Sequence, residues 1–90
     1  MGRYEMGGAE LAPIAETKPN AETFFELGIL YATGRDVVAD LVAAHKWFNL
    51  AALRGSNIAK NWRNQIAEEM NAGQIAQAQK LAREWLSIFK

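Results

Sequence analysis

The sequence predicts an all-α domain of about four helices behind an N-terminal arm, on three observations. Apolar residues recur three and four apart from residue 20 almost to the C-terminus. Capping residues and glycines interrupt that period at intervals suited to short helices. No segment alternates apolar with polar residues as a strand does, and the β-branched doublet Val37-Val38 falls between two helical stretches.

The first helix opens at Asn20, an N-cap residue after Pro19, and carries Phe24, Leu27 and Tyr31 to a stop at Gly34. Asp40 caps the second, in which Ala44, Trp47, Phe48, Ala51 and Ala52 form one broad stripe closed by Gly55. Ser56 caps the third, where Ile58, Trp62, Ile66 and Met70 fall four apart and are read as one buried side. Asn71 with Gln74 three residues on is a capping box for the fourth, whose inner side is assigned to Ile75, Ala78, Ala82, Trp85 and Phe89. Gly28 and the Ala51-Ala52 pair are small enough to let the first two helix axes approach closely, with Trp47 and Phe48 filling the space between them.

Residues 1–19 mix Gly2, Gly7, Gly8, Pro13 and Pro19 with scattered acids and hold no period, so they read as a flexible arm bearing a short apolar patch at Leu11, Pro13 and Ile14. Ninety residues, half of them apolar, support one small domain, residues 20–90. With no cysteine, neither disulfides nor thiolate metal sites can reinforce it. The N-terminus shows neither a basic n-region nor a continuous apolar run, so no membrane insertion is expected and the assigned location is cytoplasmic. Net charge is zero but segregated: residues 1–40 hold seven acids and three bases, and residues 41–90 the reverse. Such a dipole suits a two-signed partner or a second copy better than duplex nucleic acid, which favours one strongly basic face.

Leu27-Gly28, Tyr31, Gly34, Val37, Asp40, Ala44, Trp47-Phe48, Ala51-Ala52 and Gly55, in that order and spacing, resemble one unit of the Sel-one-like repeat family, relatives of the tetratricopeptide repeats. The match covers residues 20–55, about a third of the chain; residues 56–90 resemble the degenerate closing helical pair of small bacterial members. The resemblance implies a short αα-hairpin solenoid that binds other proteins. One position departs from the pattern: a second turn glycine is replaced by Asp36, a residue able to hold a left-handed backbone. Solenoid repeats bury their faces by stacking, and about three are usually needed. With fewer here, the Phe24, Phe25, Leu27 and Tyr31 side is expected to be covered by the arm or by another chain.

No catalytic constellation emerges, and the chain is read as a non-enzyme with no cofactor. His45 stands alone as a potential metal ligand and is placed beside Lys46 on the outer, solvated side of the second helix. Glu68 and Glu69 are adjacent, hence about 100° apart on a helix rather than paired as catalytic carboxylates. Neither Ser56 nor Ser87 sits in a nucleophile elbow, and no phosphate loop is present. Trp47, Trp62 and Trp85 beside Arg54, Lys60, Arg63 and Arg83 have the residue types of a base-stacking platform, but helical register assigns all three indoles to the core, and no nucleic-acid partner is expected.

The function read from the sequence is therefore protein–protein interaction, as a regulatory or accessory subunit, with another protein or a second copy as partner. A self-associating structural role is the alternative; a small-ligand binder or enzyme, of the β-lactam type that the family resemblance implies, is a more distant one. The contact surface is assigned to Glu22, Phe25, Glu26, Ile29 and Tyr31 on the first helix, with Phe25, Ile29 and Tyr31 as its apolar part and Glu22 and Glu26 as its charged part. Phe25 and Ile29 diverge from the Phe24–Leu27–Tyr31 stripe and are read as contact residues.

Overall fold

The computed structural model describes residues 20–89, which form four helices and no strand. In chain order they are α1 (Ala21–Thr33), α2 (Leu41–Leu53), α3 (Asn57–Ala67) and α4 (Ala72–Phe89). The arm read over residues 1–19, with its Leu11–Ile14 patch, lies outside the described residues.

Each boundary has a local cause. Asn20, Asp40 and Ser56 accept hydrogen bonds through their side chains from the backbone N–H of Thr23, Ala43 and Ala59 at 2.9, 3.1 and 3.1 Å. At α4 the box is reciprocal: Asn71 Oδ1 accepts from Gln74 N at 2.8 Å while Asn71 N donates to Gln74 Oε1 at 2.9 Å. α2 ends in a Schellman motif in which Gly55, at φ 102°, donates to Ala52 O and Ser56 donates to Ala51 O, both at 3.0 Å. α1 stops at Gly34 (φ 74°), whose N–H donates to Leu30 O at 2.9 Å. In the loop that follows, Asp36 holds the left-handed backbone at φ 64°. Asp40 N then donates to Tyr31 O at 3.0 Å, tying the start of α2 to the last turn of α1.

α2 is the central helix, packed against each of the other three. Ala44, Phe48, Leu50 and Ala51 are almost wholly excluded from solvent, so more than one side of this helix is covered. A Cβ built on Gly28 would lie 2.9 Å from Phe48 Cγ and closer still to the ring edge, so only glycine allows this approach of α1 to α2.

Two sets of aromatic rings lock the outer helices onto α2. Phe24, Trp47 and Trp85 join α1, α2 and α4 with ring centroids 5.1 to 6.1 Å apart. Phe25, Phe48 and Trp62 join α1, α2 and α3 at 5.8 to 6.1 Å. Consecutive residues on α1, and again on α2, thus feed different sets, because neighbours on a helix diverge by about 100°. Each pair sits at a separation favourable for aromatic contact beyond simple burial.

Three sequence assignments are corrected. The Phe24–Phe25 side of α1 needs neither arm nor second chain to meet its rings: Phe24 is fully buried against Trp47 and Trp85, and Phe25 packs on Phe48 and Trp62. Ile58 is 57 % exposed and Ala59 takes the buried place in the first turn of α3. A four-residue step advances about 40° around a helix, so the row running back from Met70 has left the inner side by Ile58. His45 is buried, not solvated, because the side of α2 that it occupies is enclosed by the packing around the central helix.

Candidate functional site

Glu22 and Glu26 stand exposed on α1, while Phe25, Ile29 and Tyr31 are half-buried and packed on the core. The five assigned surface residues therefore divide by role. Phe25 belongs to the α1–α2–α3 aromatic set, so its ring is held by the fold itself. Tyr31 lies on the α2-facing side, its carbonyl accepting from Asp40 N. Ile29 is shared between core and surface: it packs inward and also lines a cleft of about 380 Å³ with Glu26, Leu30 and Arg35.

Leu30 and Arg35 were missed as members of this cleft. Leu30 lies four residues beyond Glu26, one turn along the same face, which is a signal the helical period contains. Arg35 depends on the Gly34 stop: its N–H donates to Leu30 O at 3.3 Å, which folds the chain back over the end of α1. The cleft thus offers apolar walls from Ile29 and Leu30 with an exposed carboxylate at one side and an exposed guanidinium at the other. Such a surface suits a peptide or helix presenting one apolar side chain between polar groups.

Arg63, Arg54 and Lys46 are each engaged separately. Arg63 Nη1 donates to Asn49 Oδ1 at 2.8 Å, linking α3 to α2, and its other donors reach Asn64 Oδ1. The Arg54 guanidinium lies 5.8 Å from the Phe24 ring centroid, and Lys46 Nζ lies 4.0 Å from that of Trp47. Burial draws the Lys46 ammonium below its ordinary value, with Asp40 opposing. Trp47, Trp62 and Trp85 pack against the core, as their register predicts.

His45 is the buried titratable group. It is 3 % exposed and its Nδ1 has no hydrogen-bond partner. Burial pushes its pKa below the ordinary histidine value, and Arg63 adds repulsion of the cation. The neutral imidazole is the form the fold favours. Among the described residues no group of three or more His, Cys, Asp or Glu side chains is placed to hold a metal ion, and no helix is long and apolar enough to cross a membrane.

Compared with known proteins, the chain matches no family model, no curated protein and no solved structure.

Proposed function

We propose that this domain is a protein-interaction module, a regulatory or accessory subunit built as a short αα-hairpin repeat of the Sel-one-like kind. It takes its partner on the outer surface of α1. The observation that carries the reading is the cleft of Glu26, Ile29, Leu30 and Arg35, set beside exposed Glu22 on a helix that the aromatic sets hold rigid. A preformed apolar notch flanked by charges of both signs recognises a protein segment at little ordering cost. The close Gly28–Phe48 approach and the two left-handed glycine stops supply the hairpin geometry on which the resemblance rests.

Affinity purification of the tagged chain from its native cell, with mass spectrometry, tests this reading when run beside the variant Glu26→Lys with Leu30→Asp. Both substituted residues lie outside the aromatic sets, so helicity should persist and circular dichroism verifies it. The expected result is a protein retained by the wild type and lost from the variant. Equal retention by a folded variant, or specific retention of nothing, would overturn it.

A further inference from the structure

We infer that the outer groove of α4 is the seat of this chain's own segment Glu10–Glu16. The groove has a volume of about 540 Å³ and runs along Lys80, Arg83, Glu84, Ser87 and Ile88. By helical register Lys80, Arg83 and Ser87 stand on the side of α4 opposite Trp85, away from the core. Ile88 at its edge is 73 % exposed, an apolar side chain left largely to solvent. Two cations stand there against one carboxylate, and Lys80 meets that carboxylate, on Glu84, only in a solvent-exposed pair at 3.5 Å. Arg83 is exposed.

The segment has the complementary character. Glu10, Leu11, Ala12, Pro13, Ile14, Ala15 and Glu16 place two carboxylates around Leu11, Pro13 and Ile14, with no base among them. Pro13 fixes one backbone dihedral, which lowers the entropy lost when the segment is held.

Chain geometry brings the two together. The first turn of α1 lies against α4, with the Phe24 and Trp85 rings 5.1 Å apart. Asn20, the first described residue and one turn before Phe24, therefore lies near the C-terminal half of α4. Six residues lead back from Asn20 to Ile14 and span up to about 20 Å when extended. A helix with its side chains is about 10 to 12 Å across, so that reach is long enough to pass around α4 to its outer side. A tether this short holds the segment at a millimolar effective concentration, which suffices for a shallow, exposed groove where a free partner would need a better one.

The chain lacks cysteine, so the single variant Ala12→Cys accepts one nitroxide label. Amide signals of the full chain, isotopically labelled, then report which surface the label visits. Selective broadening at residues 80–88, unchanged on dilution into unlabelled chain, is expected. Lys80→Glu with Arg83→Glu should cut that broadening roughly threefold or more, the scale set by two exposed charge contacts. Adding Glu10→Lys with Glu16→Lys should restore it. Broadening that disappears on dilution would mean that the groove receives a second copy instead, and overturns the inference. Broadening confined to α1, or no selective broadening in a chain whose amide spectrum is otherwise unchanged, overturns it as well.

Discussion

Gly28 lies so close to the Phe48 ring that the approach of α1 to α2 depends on the missing side chain. Gly28→Ala separates two effects of opposite sign. Alanine gains about 1 kcal/mol of helix propensity over glycine, whereas overpacking a ring that is fully buried costs about 1–3 kcal/mol. Overlap prevails, because Phe48 also meets Phe25 and Trp62 and cannot swing aside. We expect a net loss of about 1–2 kcal/mol in urea unfolding, partly recovered when Phe48→Leu is added. A Gly28→Ala protein as stable as the wild type would remove the close packing from the account.

Phe24→Ala should be the most damaging single truncation. Its ring is fully buried between Trp47 and Trp85 and ties α1 to α4, so removing it opens a cavity worth about 3–5 kcal/mol. That is most of the stability available to a domain this small. The expected outcome is loss of the cooperative thermal transition. Phe89→Ala, which removes a 54 % exposed ring lying tilted against Trp85 at 4.5 Å, should leave the transition in place with a modest shift.

The two left-handed turn residues give opposite predictions. Gly55 has open space where a Cβ would go, so Gly55→Ala costs only the backbone strain of φ 102°, about 1 kcal/mol or somewhat more. Asp36 already bears that strain at φ 64°, and Asp36→Gly should relieve part of it, for a gain of about 0.5 kcal/mol after the added chain entropy of glycine. Chemical denaturation of both variants checks the pair. A gain for Gly55→Ala or a loss for Asp36→Gly would contradict the backbone reading.

His45 makes stability depend on pH in one direction. Its folded pKa lies below the unfolded value, so the unfolded chain binds this proton first as pH falls. Its contribution is complete above the ordinary histidine value of about 6.5 and declines from there down towards the lowered folded pKa. Urea midpoints should therefore fall between pH 7.5 and 5.5. His45→Leu fills the site without an unpartnered nitrogen and should flatten that decline. An equally steep decline in the leucine variant would assign it to other groups.

The sequence exposed the helices more completely than the surfaces. Helix boundaries were legible because their causes are local: Asn20, Asp40, Ser56 and the Asn71–Gln74 box act within three residues, and Gly34 and Gly55 are required by left-handed backbone. The Gly28 approach was legible too, as a small residue facing large ones. What a helix side meets depends instead on the neighbours assembled around it. The burial of His45 follows from the central place of α2, and the covering of Phe25 follows from Trp62, thirty-seven residues further on. The cleft showed the same limit, since Ile29 and Glu26 could be placed on a face but Arg35 joins them only through the fold-back after Gly34.

Mapping the captured partner onto the labelled chain tests the interaction surface most directly. Amide signals of the full chain are followed as the protein retained in affinity purification is added. Binding through α1 predicts that perturbed signals and slowed hydrogen exchange concentrate at residues 22–35, centred on Glu26, Ile29, Leu30 and Arg35, and that Glu26→Lys with Leu30→Asp weakens the complex at least tenfold through loss of an anchor in the cleft. Perturbations centred on α3 or α4 with residues 22–35 unchanged, or undiminished affinity of the folded variant, would contradict it.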